Sequence, residues 1–218
     1  MKKTLFLFSM ILLVAGCATT KVKSFKAVPM EGKKTVLEEK IVEEVTDSLI
    51  GEQIKKSIVR TAVTSSAITL SEQNSYEDEN FKIVFKFNSN NIDLTVNNKR
   101  ETDSSFLADY AYYTSYDATK YKLFLLSSWK DNKKMIKSQV SPVITKLSST
   151  TINLTPEICI DSSVGSGTDN YQYWQRGTLA SNTIGKKSVN DYVEILIPIK
   201  CESNIYSYLF KVKLTAEK

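Results

Sequence analysis

The chain has 218 residues, 42% of them apolar, 24% charged and 10% aromatic, with only 7 Gly and 4 Pro. That composition suits one folded domain and excludes disordered, collagen-like and coiled-coil chains. The absence of His removes every Ser-His-Asp and Cys-His mechanism and the usual His-bearing zinc sites, and leaves Ser-Lys and carboxylate chemistry open. A formal net charge of +5 is too small to point to nucleic acid as a partner.

The first segment reads as an export address. Lys2 and Lys3 form a positive start, Leu5 to Ala15 are mostly apolar, and small Gly16 precedes Cys17. The apolar run is too short to span a bilayer as a mature helix and suits a signal peptide. Val14-Ala15-Gly16-Cys17 resembles the lipobox of bacterial lipoproteins, in which a signal peptidase cuts before a cysteine that already carries lipid. The resemblance implies removal of residues 1–16, acylation of Cys17 and attachment to a membrane. It speaks of processing and place, not of activity. Ala18 follows the cysteine where Asp would hold an enteric lipoprotein in the inner membrane, so the outer membrane is the expected location. Loss of Lys2 and Lys3 lowers the net charge to +3.

Residues 17–33 are expected to form the lipidated cysteine and a short tether, with Pro29 and Gly32 as breakers, and residues 34–218 a single globular domain. Thr35-Val36-Leu37-Glu38 has the form of a capping box, and Leu37, Ile41, Val45 and Leu49 recur at every fourth position. Acids (Glu38, Glu39, Glu43, Glu44) come early and bases (Lys55, Lys56, Arg60) late, as a helix dipole prefers. This predicts an amphipathic helix, whole or broken near Thr46 or Gly51, packed on a sheet.

Strand signals follow. Phe81 to Phe87 alternates apolar with Lys, Asn88 to Asn91 is turn chemistry, and Ile92, Leu94 and Val96 resume the alternation, so a hairpin is expected. Leu123 to Leu126 and residues 150–160 read as further strands, and 191–201 with 204–215 as a closing hairpin. The expected fold class is α+β: an N-terminal amphipathic helix on a mostly antiparallel sheet, with a strongly curved sheet or a partial barrel as variants of it.

With Cys17 taken by lipid, Cys159 and Cys201 are expected to form a disulfide, because an exported chain meets an oxidising compartment. Strand parity argues the other way. Cys201 shares the face of Val193, Ile195, Ile197 and Ile199, whereas the apolar neighbours of Cys159 are Ile158 and Ile160.

Two aromatic segments are the best candidates for ligand binding: Tyr110, Tyr112, Tyr113 and Tyr116, and Tyr171, Tyr173, Trp174 and Arg176. Rings supply rigid area and their polar tips orient a ligand, although Tyr is also a common strand residue. The loop from Asp161 to Asn170 lacks the acids of a calcium loop, so no metal site is expected. Ser127-Ser128-Trp129-Lys130 matches Ser-x-x-Lys without the Lys-Thr-Gly that accompanies it in penicillin-binding proteins. No cofactor motif and no catalytic constellation is found. The expected function is a non-enzymatic envelope lipoprotein acting in an assembly with another envelope protein. The alternative is a carrier or receptor for a lipid, glycan or peptide in an aromatic-lined pocket.

Overall fold

A computed structural model describes residues 22–48, 51–125, 139–164, 171–175, 178–180 and 188–217, with backbone alone for 43–48, 51–56, 161–164 and 171–175. Fourteen strands are present among them. They are β1 (Ser24–Ser48), β2 (Gly51–Ile68), β3 (Ser75–Glu77), β4 (Phe81–Phe87), β5 (Ile92–Asn98), β6 (Ser104–Phe106) and β7 (Tyr112–Thr114). After these come β8 (Lys120–Leu125), β9 (Val143–Ile144), β10 (Ser149–Pro156), β11 (Ile160–Val164), β12 (Tyr171–Gln175), β13 (Val193–Cys201) and β14 (Asn204–Glu217). The helical pieces among the described residues are two three-residue 3-10 turns, Ala108–Tyr110 and Glu157–Cys159.

The expected helix is therefore corrected, and with it the α+β class. Residues 35–48 and 51–63 are not helical but lie in β1 and β2, paired antiparallel in a register that sets Ile41 opposite Ile58 and Val45 opposite Ile54. The misreading has a clear physical origin. A repeat of four positions is close to the helical period of 3.6, but it is also twice the strand period of 2, so Leu37, Ile41 and Val45 share one face of a strand equally well. The charge asymmetry has the same double meaning. Glu39 is opposite Arg60, Glu43 opposite Lys56 and Glu44 opposite Lys55, so the early acids and late bases are cross-strand pairs.

One sheet runs β2-β1-β14-β13-β7-β8-β10-β5-β4-β3, with β6 on β13 and β9 on β6, while β11 and β12 form a separate pair. The turn of the sheet is made by β8, whose first half pairs with β7 (Lys120 to Lys122) and whose second half pairs with β10 (Leu123 to Leu125). The two halves then face each other. Phe81 meets Tyr206 edge-on at 5.6 Å between ring centres, and Phe85 meets Phe210 at 5.0 Å. A single bridge between Ser24 and Asn88 links β1 to the end of β4. The core between the halves is the apolar face of the alternating strands, from Phe81, Ile83, Phe85 and Phe87 to Val193, Ile195, Ile197 and Ile199.

β1 begins at Ser24, inside the stretch expected to be tether, and pairs with β14 from its first residue. The two presumed breakers have places in it. Pro29 lies where β1 has β14 on one side only, since β2 joins at Gly32, so its missing N–H interrupts no ladder. Gly32 sits at a register shift, where a Cβ would come within 2.1 Å of the Leu209 carbonyl oxygen. Only glycine allows that approach. Pro198 is accommodated in the same way, in the gap on β13 between the residues that pair with β7 and those that pair with β6.

The expected disulfide is also corrected: Cys159 and Cys201 are both free and buried. Cys201 ends β13, where its Sγ lies 3.3 Å from the Thr102 hydroxyl. Cys159 lies near Tyr113, which is opposite Ile195, six positions back along β13. At ~3.4 Å per residue that offset is roughly 20 Å, far beyond the ~7 Å between Cα atoms that a disulfide tolerates. Burial pushes the Cys159 thiol up to about 12, leaving it protonated and unreactive. The folded protein is thus expected to react slowly with a thiol reagent at both positions, and the protein unfolded in guanidinium without reductant to release two thiols. Zero thiols on unfolding would restore the disulfide.

Candidate functional site

The feature that the body leaves unexplained is the far part of the β1–β2 hairpin. β14 ends its pairing with β1 at Glu38, opposite Asn204. From Glu39 to Ser48, β1 pairs only with Gly51 to Arg60 of β2. Ten positions at ~3.3 Å each make a two-stranded arm of roughly 33 Å. Residues 49–50, which link the strands, lie outside the described residues. A two-stranded ribbon is marginal in water by itself. This one also exposes apolar side chains: Ile41 is 70% exposed and Ile58 65%, with Val42 and Val59 exposed beside them.

A charged cluster fixes the arm at its root. The Glu39 carboxylate accepts from Arg60 Nε at 2.8 Å and is ion-paired with Lys200, while the Glu39 amide donates to the Ser203 carbonyl at 2.8 Å. The Arg60 guanidinium lies 4.8 Å over the ring of Tyr110. The hydrogen bond from Lys200 is the largest influence on Glu39 and, with Arg60, holds its carboxyl below the ordinary range against the effect of burial. Arg60 is held up, first by Tyr110 and then by Glu39. Replacing Glu39 by Ala is expected to cost about 1–2 kcal/mol at this root. Amide exchange in residues 40–59 should then quicken roughly tenfold, with the exchange of β4 and β5 unchanged. Equal quickening everywhere would mean that the cluster holds the body and not the arm.

The tyrosines named from the sequence are not gathered into one site. Tyr110 is exposed and serves Arg60. Tyr112 carries Lys120 over its ring at 4.5 Å. Tyr113 points the other way, is wholly buried and donates to the Leu179 carbonyl. Burial, with Cys159 nearby, drives its hydroxyl well above the ordinary range. Tyr116 is half-buried, its hydroxyl accepting from the Leu214 amide at 2.9 Å. Alternation along a strand thus sends Tyr112 and Tyr113 to opposite faces. Tyr171, Tyr173 and Trp174 lie in β12, where only the backbone is described, and Arg176 and Cys17 lie outside the described residues.

A second ionic cluster is built into the body. Lys34 of β1 is buried and donates to Asp78 Oδ2 at 2.6 Å and Glu79 Oε1 at 3.0 Å. Tyr208 donates to the same Asp78 oxygen at 2.9 Å. Asp78 Oδ1 accepts the amides of Asn80 at 2.8 Å and Phe81 at 2.9 Å. Asp78 Oδ1 thus closes the β3–β4 turn while Oδ2 ties that turn to β1 and β14, which marks the cluster as a structural clamp. Among the described residues no group of three or more Cys, Asp or Glu is placed to hold a metal ion.

Sequence reasoning missed Glu39, Arg60 and Lys200 as a set, because Lys200 is distant in the chain and reaches Glu39 only through the β1–β14–β13 order. The available signal was the run of acids at 38–44 facing the run of bases at 55–60. No known protein family, curated protein or solved structure matches the chain.

Proposed function

We propose that this protein is a non-enzymatic lipoprotein of the bacterial outer membrane, held by lipid on Cys17, and that it uses its projecting hairpin to engage another envelope protein. The observation that carries the reading is the arm itself. A ribbon of ten residue pairs that, among the described residues, is tied to the body at its root and leaves Ile41, Ile58 and Val59 in solvent gains stability when a partner covers it. The lipobox-like Val14–Cys17 segment supports the location. β1 starts at Ser24, so an anchor at Cys17 would keep the body within roughly 20–25 Å of the membrane surface. That proximity suits assembly at a membrane.

Tests of the anchor and of the arm check it separately. Mass spectrometry of the N-terminal peptide should find Cys17 acylated, and Cys17→Ser should release the protein from the membrane fraction. A photo-crosslinker at Ile41 should trap one envelope protein reproducibly, while one at Glu101, on a loop of the body, should not. Shortening the arm by replacing residues 42–57 with Asn-Gly should abolish the adduct and leave the melting temperature of the body close to the parent value. A monomer that stays uncrosslinked at Ile41 and carries bound lipid or glycan would overturn the assembly reading.

A further inference from the structure

We infer that the outer face of the half-sheet β1–β14–β13–β7–β8 rests on the anionic headgroups of the membrane that the proposed lipid anchor enters. The inference depends on that anchor, which would bring the face to a bilayer, but it concerns a surface other than the arm.

Strand alternation sorts this half-sheet into two faces. The odd positions of β13 from Val193 to Ile199 and the even positions of β14 from Tyr206 to Leu214 enter the core. The other positions look outward, and lysines are spread across them. Lys26 and Lys33 of β1, Lys213 of β14, and Lys120 and Lys122 of β8 are all exposed. One row of register partners runs Lys33–Leu209–Leu196–Tyr112–Lys122, with a cation at each end and half-buried apolar side chains between.

The balance of charge on this face is uneven. Its acids are bonded within the protein, apart from Glu31 at the register shift of β1: Glu39 to Lys200, Glu194 to Lys211 at 3.5 Å, and Glu217 to the Ser24 hydroxyl at 2.6 Å. Lys213 is paired with Asp191 at 3.6 Å. Lys26, Lys33, Lys120 and Lys122 make no ion pair among the described residues. On the other half of the sheet the outward lysines are matched: Lys82 is ion-paired with Glu77 at 3.7 Å, and Lys86 is opposite Asp93.

Reach and chemistry select a bilayer as the occupant. Cys17 precedes Ser24 by so few residues that the chain between them spans at most roughly 20–25 Å. The five strands, at ~4.8 Å spacing, measure roughly 19 Å from β1 to β8. The whole face thus lies within reach of a headgroup plane that holds Cys17. Charges spaced across five strands suit a fluid surface whose phosphates can move to meet them. Val28, 47% exposed and opposite Lys213, adds apolar area beside the cations.

The test uses the whole mature chain with Cys17→Ser, so that no lipid contributes, in flotation with vesicles. The protein is expected to float with phosphatidylethanolamine–phosphatidylglycerol vesicles at low salt, to be released at high salt, and to stay off phosphatidylcholine. Lys26→Gln, Lys33→Gln and Lys122→Gln together should weaken binding by about tenfold or more, with a melting temperature near that of the parent. The same loss of charge elsewhere on the body, Lys82→Gln, Lys86→Gln and Lys99→Gln, should weaken it by about twofold at most. Binding of this kind by a chain whose Cys17 proves unacylated in its host would keep the face and remove the anchor. The inference is overturned by a parent chain that ignores anionic vesicles at low salt, or by equal weakening in the two triple variants. It is also overturned if a photo-crosslinker at Lys122 traps only protein in the host, another chain or a second copy, and no lipid.

Discussion

Replacing Asp78 by Ala is expected to destabilise the protein by about 3–5 kcal/mol, because it leaves the Lys34 ammonium buried without its main partner. The Lys34 side chain is 10% exposed and that of Asp78 6%. Three further donors would be stranded as well: the Tyr208 hydroxyl and the amides of Asn80 and Phe81. Glu79 is more exposed and takes the second, longer contact of the ammonium. Lys34→Met should cost less than Asp78→Ala, since a long apolar side chain can occupy the same volume without an unpaired charge. Equilibrium urea unfolding of the two variants checks the order. A larger loss for Lys34→Met would mean that the cation, and not the carboxylate, organises the turn.

The same cluster sets a pH dependence with a definite sign. Burial is the largest influence on Asp78 and pushes its carboxyl up. The hydrogen bonds from Lys34, Phe81, Asn80 and Tyr208 together outweigh it and hold the carboxyl below its ordinary 3.8. A folded-state value below the unfolded one means that the contribution is complete above the unfolded value and is lost as pH falls through the folded one. Lys34 runs oppositely. Burial lowers it most, but Asp78 and Glu79 more than restore it, so it lies above 10.5. Its contribution is complete below 10.5 and is lost as pH rises past the folded value. Between these limits the cluster adds a constant amount. The difference in melting temperature between the parent and Asp78→Ala should therefore be flat from pH 5 to pH 9 and shrink below about pH 4.

Phe81→Ala is the second large effect, expected at about 3–5 kcal/mol and a melting temperature lower by roughly 8–15 °C. Phe81 is fully buried, and its ring meets Tyr206 at 5.6 Å and Tyr208 at 6.4 Å, both edge-on. Those rings belong to β14, near one end of the sheet order, whereas Phe81 belongs to β4, near the other. The side chain thus joins the two halves where no backbone pairing does so, and the cavity left by Ala cannot be filled without bringing the halves closer. Thermal melting followed by near-ultraviolet dichroism checks it. A loss below about 1 kcal/mol would show that the halves repack freely.

Much of the body was legible in the sequence, and for one reason. Where a strand has one face in the core and one in water, the residues alternate, so Phe81 to Phe87, Ile92 to Val96 and the closing pair of strands β13 and β14 could be read directly. The arm broke that rule. Its described positions 40–42 and 58–60 are all exposed and show no alternation between buried and exposed, and a spacing of four with acids before bases imitated a helix. The candidate site was hidden for a related reason, since Glu39, Arg60, Lys200 and Tyr110 come from four separate stretches and strand order alone brings them together.

The sequence by itself determined that the chain carries a lipobox-like start, that it lacks the imidazole needed for the commonest catalytic machinery, and that alternating strands form most of its body. These are local properties, set by residue type and by neighbours within a few positions. Only the tertiary structure decided that residues 35–48 and 51–63 lie in paired strands, that Cys159 and Cys201 stay apart, and that Tyr112 and Tyr113 face different ways. Each of those depends on which distant strands lie side by side, and that is settled by the burial of whole faces against one another, an energy that no short stretch of sequence contains.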